Sequence, residues 1–317
     1  MEKRNQSADI EFLLLGFSDL PEYRPFLTAL FLTLYLLSLM GNLFIISAVN
    51  LEPQLHTPMY FFLGHLSFVD LCLTSVTVPK LLDNLISMSR EISFLGCFTQ
   101  MYLFVWLVTT ESFLLAVMAY DRYVAICNPL HYRMVMSAKL CILLVMMSWG
   151  LNALHAVLHT GMTLRLCFRG INVIHSFFCD IPPLLELSCS DTSTNHLVIL
   201  IEGSAVASFP FLFIMGTYIR IITSIVKLHS AQTWHKALLT CSSHFTVVVL
   251  FYATVGFMYF QPSSKSSQKN NRVVSVMYAL ATPMLNSFIY SLRNKEMKGA
   301  LKKGLKHMKI MFLVAPQ

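Results

Sequence analysis

Long apolar runs separated by short polar stretches dominate the pattern of this chain. Seven of them reach the roughly 20 residues that a helix needs to cross the hydrocarbon core of a bilayer, namely residues 26–49, 58–79, 98–120, 140–158, 197–219, 237–260 and 273–292. Their only acidic or strongly basic side chains are Asp70, Glu111 and Glu202. Long helices of a soluble protein would each carry a charged face. The pattern therefore predicts an all-α membrane protein, a seven-transmembrane helix bundle.

Composition supports this class. Of the 317 residues 56% are hydrophobic and 12% are charged, and the mean hydropathy is +0.62. Soluble domains carry about 25% charged residues, so the composition excludes an ordinary soluble enzyme. We divide the chain into an extracellular N-terminal tail (1–25), the seven-helix domain (26–292) and a cytoplasmic tail (293–317).

The charge of the connecting segments predicts the orientation. With the N-terminus outside, the inner face carries 13 cations against three acids, while the outer face carries ten of each sign. Lys and Arg are retained on the cytoplasmic side, so we expect the N-terminus outside and the C-terminus in the cytosol. The pI of 9.0 then reflects contact with anionic lipid rather than nucleic acid. Asn5, in an Asn-Gln-Ser triplet, is a glycosylation acceptor that suits an outer tail.

Four of the eight cysteines, Cys97, Cys167, Cys179 and Cys189, lie on the predicted outer side, where disulfides persist. Four cysteines allow three pairings, and the sequence does not choose among them. Free thiols or metal ligands are the alternative. Three of the four lie in the connection 159–196, which is far longer than most loops.

Four motifs stand at the ends of predicted spans. They read LHTPMYFFL at 55–63, MAYDRYVAIC at 118–127, KALLTCSSH at 236–244 and PMLNSFIYSLRN at 283–294. In this order, and across the whole chain, they resemble the vertebrate odorant receptors, a branch of the rhodopsin-like G-protein-coupled receptors. One departure is Ser287, which stands where the family usually has proline.

The resemblance implies a non-enzymatic receptor of the plasma membrane. It would bind a small, mostly hydrophobic odorant and activate a heterotrimeric stimulatory olfactory G protein, which raises cyclic AMP. The resemblance also implies the disulfides Cys97–Cys179 and Cys167–Cys189. Family positions place the ligand in the outer half of the bundle, against Phe104, Val105, Val108, Thr109, Ser112, Glu202, Gly203, Val206, Phe251, Tyr252, Val255, Tyr259, Tyr278 and Ala279.

The family match also assigns the cytoplasmic switch. Asp121, Arg122 and Tyr123 close the third span, and Tyr218 and Tyr290 lie near the inner ends of the fifth and seventh. The permanent charge of Arg122 needs a partner, which Asp121 can supply in a resting state. Separation of the helix ends would then free Arg122 to meet a G protein. The alternative is an interfacial arginine that reaches the lipid headgroups.

Intramembrane acids and histidines are the remaining candidates. Acids within the membrane are functional candidates by default. In related receptors the position of Asp70 binds sodium and that of Glu111 is a proposed second ligand, so we expect a structural sodium ion and no other cofactor; two protonated acids are the alternative. Glu202 either binds a polar or cationic odorant or lies at the wet end of its helix. His155 and His159 have the spacing of a metal pair, but no third ligand is evident nearby, so we predict no metal site there.

The C-terminal tail shows apolar residues at helical spacing. Met297, Leu301, Leu305 and Met308 form an apolar stripe among lysines, which predicts a short amphipathic helix on the anionic inner leaflet; a calmodulin-binding segment is the alternative. A chemosensory receptor for a small metabolite is the second functional hypothesis. A transporter would typically show internal repeats, which we do not find, and a retinal protein needs a lysine that residues 273–292 lack. The oligomeric state stays open.

Overall fold

The computed structural model describes residues 11–170, 172–227, 231–259, 272, 274–293 and 296–300. Long helices account for most of this part of the chain. We number them in chain order as α1 (Arg24–Leu51), α2 (Pro58–Ser87), α3 (Phe94–Cys127), α4 (Ala138–Leu164), α5 (Ser204–Lys227), α6 (Ala231–Tyr259) and α7 (Thr282–Arg293).

Five helices of the described part are long and apolar enough to cross a membrane. They are α1 to α4 and the continuous helical stretch Ser193–Val226 that contains α5. In α6, residues Cys241–Phe257 form a shorter apolar segment. The helices extend beyond the predicted spans because the polar residues at their ends continue the helical turns outside the apolar run; α2, for example, passes Pro79 and ends where Met88 adopts a left-handed φ of 62°.

Local signals fix several helix ends. Pro58 opens α2, at a position where its missing N–H is harmless. The hydroxyl of Ser93 accepts from the backbone N–H of Gly96 at 3.1 Å and so caps α3. Ser137 caps α4 in the same way through Leu140, at 3.4 Å.

Two π-helical turns interrupt the regular helices. Ile199–Gly203 joins the short helix Ser193–Val198 to α5, and Met277–Ala281 leads into α7. Each turn contains two of the predicted ligand contacts. Turns of this kind occur often at functional sites, because they shift the side chains that follow around the helix axis.

A three-stranded sheet, which the sequence does not predict, covers one end of the bundle. Strand β1 (Glu11–Leu14) lies between β2 (Glu91–Ser93), which is antiparallel to it, and β3 (Asn172–Ile174), which is parallel. Phe12 and Leu14 of β1 are fully buried. We call this end of the molecule the sheet end, and the opposite end, where α3 finishes, the Arg122 end.

The hydrophobic core consists of two clusters. A large cluster of apolar side chains runs through the helices, and a second, smaller one lies beneath the sheet. The smaller cluster includes Phe12, Phe98, Phe168 and Ile174, together with the disulfide Cys97–Cys179. The N-terminal tail is therefore part of the packed structure from Glu11 onward rather than a free extension.

Helical residues follow α7. Residues 296–300 are helical, and Met297 and Ala300 are buried while Lys298 is exposed. The rest of the predicted amphipathic helix lies outside the described residues, as does Asn5.

Candidate functional site

The long loop between α4 and α5 is tied to α3 near the sheet end. Cys179 forms a disulfide with Cys97 at the start of α3, as expected. Its backbone N–H donates to the side-chain oxygen of Gln100 at 2.9 Å, and the amide nitrogen of Gln100 donates to the carbonyl of Val76 on α2, also at 2.9 Å. The loop residue Phe178 is thereby held against the interior of the bundle.

The second expected disulfide is not formed. Cys167 and Cys189 are free and exposed, although the backbone N–H of Cys189 donates to the carbonyl of Cys167 at 2.9 Å. A backbone hydrogen bond brings two chain segments together, but a disulfide also requires the two side chains to face each other. In the structure, Cys167 and Cys189 thus lie in two segments joined by a backbone hydrogen bond without a bond between their sulfurs, and the pairing Cys167–Cys189 stays a prediction.

Aromatic side chains fill the centre of the predicted ligand site. Five of them make one connected set, which we call the aromatic cluster: Phe104, Phe178, Phe251, Tyr252 and Tyr278. The ring centre of Phe104 lies 4.4 Å from that of Phe178 and 5.7 Å from that of Tyr278. Phe251 lies 6.1 Å from Tyr278. The cluster joins the loop to α3, α6 and the π-helical turn before α7.

Burial shows how tightly this region is packed. Phe104, Phe251 and Tyr278 are each at most 2% exposed. A ligand that binds here must displace at least one ring, because side chains already fill the space. Movement of one ring would therefore affect its neighbours on α3, α6 and the turn before α7.

One hydrogen bond links α3 to α6 beside the cluster. The hydroxyls of Ser112 and Tyr252 are 2.9 Å apart. Thr109 lies one turn earlier on α3, and its hydroxyl donates to the carbonyls of Val105 and Trp106 in its own helix. Its side chain is thus satisfied without a ligand.

The remaining predicted ligand contacts lie in different parts of the molecule. Val108 and Ala279 belong to the large core, whereas Val105 packs beneath the sheet. Gly203, Val206 and Val255 are half-buried. The side chain of Tyr259 lies outside the described residues. A cavity of about 440 Å³ lies at the Arg122 end instead, between α1, α2 and α4, and is lined in part by Leu55 and Phe61.

Glu202 joins α4 to the helix that leads into α5. One of its oxygens accepts from Nδ1 of His155 at 2.8 Å, and the other accepts from Nε2 of His159 at 2.9 Å. This corrects the expectation that no third ligand lies near the histidine pair. The three atoms that could bind a metal, one from each of His155, His159 and Glu202, lie within 4.8 Å of one another. Glu202 is therefore hydrogen-bonded to two histidines of α4, while its side chain stays 35% exposed.

The two intramembrane acids meet at one amide. Nδ2 of Asn286 donates to Oδ2 of Asp70 at 3.2 Å and to Oε1 of Glu111 at 3.0 Å. Asp70, Glu111 and Asn286 are each only 1% exposed. The other amide atom, Oδ1 of Asn286, is buried without a hydrogen-bond partner among the described residues. The acids, expected on separate helices, thus share one buried polar site.

This site fits a hard monovalent cation such as sodium. Two carboxylates held close together repel unless they share a proton or bind a cation. Carboxylate and amide oxygens are the ligands that hard cations prefer. The unpaired Oδ1 of Asn286 offers a further oxygen at the same depth. Asp70, Glu111 and Asn286 are the residues that would hold the ion.

Asp121 has a different partner from the expected one. Its carboxylate accepts from the hydroxyl of Tyr132 at 2.7 Å, and it forms no ion pair with Arg122 in the described part of the chain. Burial, and then the neighbouring Asp121 carboxylate, raise the pKa of the Tyr132 hydroxyl, which therefore keeps its proton and remains a donor. One terminal nitrogen of Arg122 is buried without a hydrogen-bond partner among the described residues, so the side chain has unused hydrogen-bonding capacity inside the bundle.

His244 joins three helices beside Arg122. Its Nε2 donates to the carbonyl of Leu115 on α3 at 3.1 Å, which leaves Nδ1 to accept from the hydroxyl of Tyr218 on α5 at 2.7 Å. His244 itself is on α6 and only 1% exposed. His244 ends the motif at 236–244, and the motif alone predicts no role for it. A histidine among hydroxyl residues in an apolar run is the signal that could have marked it.

The two other predicted switch residues lie close to this region. Tyr290 is buried, and its hydroxyl has no partner among the described residues. Tyr123 is half-buried, and its ring centre lies 6.4 Å from that of Tyr120. The structure thus joins Tyr218 to His244 near Arg122, and Tyr123 makes a ring contact with Tyr120.

Comparison with known proteins agrees with this architecture. The sequence profile of the olfactory receptor family matches residues 31–308. The chain is 51% identical to olfactory receptor 1E5 of Pan troglodytes over 99% of its own length and 100% of that protein, and 51% identical to olfactory receptor 1468 of Rattus norvegicus over 98% and 99%. It is also 51% identical to olfactory receptor 1E1 of Homo sapiens over 98% and 99%. The chain therefore belongs to the olfactory receptor family, the multi-pass membrane receptors with a seven-helix G-protein-coupled bundle.

Proposed function

We propose that this receptor binds a small, mostly apolar odorant at the aromatic cluster and activates a stimulatory olfactory G protein, which raises cyclic AMP. The observation that carries the ligand assignment is the cluster itself. Small-molecule sites are mainly apolar with a few well-placed polar groups. Here the five connected aromatic rings include Tyr252, whose hydroxyl is hydrogen-bonded to that of Ser112.

The charges at the site favour a neutral ligand. Phe104 has no charge to offer a cationic amine, and it is fully buried. Glu202 is the one acid near the predicted contacts of α5, and both of its oxygens accept from histidines. An amine would have to displace these bonds before it could pair with the carboxylate.

The ligand would enter from the extracellular side in this proposal. The sheet end then faces outward and the Arg122 end faces the cytosol, in accord with the excess of cations in the segments at that end. The loop tied down by Cys97–Cys179 would lie over the entrance.

The signal would travel along α6. A ligand that displaces a ring of the cluster acts on Phe251 and Tyr252, and His244 lies seven residues before Phe251, about two helical turns away. Movement of α6 changes the bonds of His244 to Leu115 and Tyr218. The ends of α3 and α6 then separate at Arg122, which binds the G protein. The ligand favours this state only by its differential affinity for it.

Sodium belongs to the same proposal. Asp70, Glu111 and Asn286 would hold the ion between α2, α3 and α7. The ion would neutralise part of the paired negative charge, and it would thereby stabilise the arrangement in which these three helices are in contact.

The test is a cyclic AMP screen of a chemically broad odorant panel in cells with verified surface expression. For an active odorant, we expect Tyr252→Phe to raise the half-maximal concentration about 2- to 10-fold, the range for one lost hydrogen bond. The same measurement tests the rest of the site with the variants Thr109→Ala, Glu202→Gln and Tyr259→Phe.

Tyr35→Phe is the matched control. It removes a hydroxyl that lies 3.3 Å from Ser75, between α1 and α2, away from the aromatic cluster. The proposal would be contradicted if the receptor reached the cell surface but gave no cyclic AMP response to any odorant. It would also be contradicted if every variant of the site responded like the unaltered receptor.

A further inference from the structure

We infer that His155, His159 and Glu202 form a binding site for a transition-metal ion, with zinc as its reference occupant. The side chains come from two elements that are distant in sequence, α4 and the π-helical turn before α5. Their ligand atoms, two imidazole nitrogens and a carboxylate oxygen, lie within 4.8 Å of one another.

The donor set is the first argument. Two imidazoles and one carboxylate are ligands that zinc takes in proteins, with bonds of about 2.0–2.2 Å. Such bonds hold tetrahedral ligand atoms about 3.3 Å apart. Side-chain rotation alone can bring atoms from 4.8 Å to that separation.

Preorganisation is the second argument. The two histidines are four residues apart on α4, the spacing that places imidazoles on one helix face, and their ring centres are 4.5 Å apart. The side chains of His155 and His159 are only 9% and 5% exposed. Two buried rings that face the same carboxylate lose little freedom when they bind an ion.

The site can be reached from outside the helices. Gly203 follows Glu202 and has no side chain; a Cβ there would be in van der Waals contact with Nε2 of His159, at 4.0 Å. The side chain of Glu202 is 35% exposed, so an ion can reach the site from outside the helices. Three protein ligands leave a fourth position open, as in zinc sites that also hold water or a small molecule.

Binding would connect α4 to α5 directly. In the structure each carboxylate oxygen accepts one imidazole N–H. An ion would replace these two hydrogen bonds with coordinate bonds, and each neutral imidazole would keep its one proton on the ring nitrogen that does not bind the ion. The affinity for the ion should fall at low pH, because a protonated imidazole cannot bind it. Because Gly203 and Val206 are predicted ligand contacts on the same stretch of helix, the ion is placed to alter the odorant response.

The experiment uses the purified full-length receptor in detergent, stripped of metal with a chelator. Zinc is titrated while bound metal and the unfolding midpoint are measured. We expect one zinc per chain at this site and a raised midpoint, because an ion that binds only the folded chain stabilises it. Magnesium should have no effect, since it prefers all-oxygen sites.

Three variants define the site. His159→Gln and Glu202→Gln should each weaken zinc binding by at least about tenfold, the loss that follows even from removing an outer-shell partner of a metal ligand. His196→Gln removes an exposed imidazole on the neighbouring helix Ser193–Val198 and should leave the affinity unchanged. The double variant Cys167→Ser/Cys189→Ser removes the two exposed thiols as competing ligands.

The outcomes separate the site from simpler roles. If Glu202→Gln lowers the midpoint of the metal-free protein but leaves zinc affinity intact, the triad is a hydrogen-bonded clamp and the inference is overturned. It is overturned equally if zinc binding disappears only in the cysteine variant. Loss of an odorant response in Glu202→Gln with unchanged zinc affinity would make Glu202 a ligand contact and nothing more.

Discussion

Single buried polar residues carry the chemistry of this receptor. Each of them lies in an apolar surrounding, where an unpaired polar group costs about 1–3 kcal/mol, and several of them have a hydrogen-bond partner on another helix. Asn286 joins Asp70 to Glu111, and His244 joins Leu115 to Tyr218. These contacts therefore fix how the helices face one another, and a change at one residue is felt by two or three helices.

The sodium proposal gives a prediction at this scale. In purified receptor we expect a higher unfolding midpoint in sodium chloride than in choline chloride of equal ionic strength, because the ion binds the folded state. Asp70→Asn and Glu111→Gln should each abolish the difference. Asp83→Asn, which changes an exposed acid of the same helix, should preserve it. Equal midpoints of the unaltered receptor in the two salts would refute the site.

His244 gives the second prediction. His244→Phe keeps a ring but removes the donor to Leu115 and the acceptor for Tyr218, so we expect the free energy of unfolding to fall by about 1–3 kcal/mol. His175→Phe makes the same exchange at an exposed loop position and should change the stability little. Thermal unfolding of the two purified variants measures the difference. Equal midpoints would mean that the three-helix contact contributes nothing to stability.

At the scale of elements, α1 and α7 pack closely because one of them has a glycine where they meet. Gly41 of α1 faces α7 so closely that a Cβ added there would lie 2.3 Å from Oγ and 3.0 Å from Cβ of Ser287. The amide of Asn42, the next residue, donates to the carbonyl of Pro283 at 3.4 Å. The close packing of α1 against the side chain of Ser287 on α7 thus depends on the absence of a side chain at Gly41.

Gly41→Ala is the prediction for this contact. Alanine favours a helix by up to about 1 kcal/mol over glycine, but overpacking costs about 1–3 kcal/mol, so we expect net destabilisation. Gly150→Ala, where an added Cβ meets nothing within 4 Å, should be neutral or stabilising. Surface expression and the unfolding midpoint report both. Ser287→Gly should partly rescue Gly41→Ala, and failure to do so would show that the cost does not come from this clash.

The elements also show what the sequence can and cannot predict. The helices are visible in it because each apolar run is continuous and long enough to cross the bilayer. Strand β1 was missed, since four residues in a tail carry little signal and their partners, β2 and β3, lie far along the chain. The triad of Glu202 was missed for the same reason: 43 and 47 residues separate it from its histidines, and only the packing of two helices reveals the contact.

At the scale of the whole molecule, the two ends have different constructions. The sheet end combines β1, the disulfide Cys97–Cys179 and a compact apolar cluster, which together fix the loop above the aromatic cluster. At the Arg122 end, the segments are joined by hydrogen bonds of side chains such as His244 and Tyr132. These side chains can exchange their partners. A covalently fixed entrance and an adjustable opposite end suit a receptor in which binding at one end changes contacts at the other.

That division of roles requires a fixed orientation in the membrane, which is the final prediction. The inner face carries 13 cations against three acids if the N-terminus is outside, and retention of Lys and Arg in the cytosol then fixes every helix. An epitope tag before Glu2 should be stained on intact cells, whereas a tag after Gln317 should require permeabilisation. Asn5→Gln should also abolish a mass shift on deglycosylation. Staining of both tags on intact cells would place the two termini on one side, which an odd number of spans forbids.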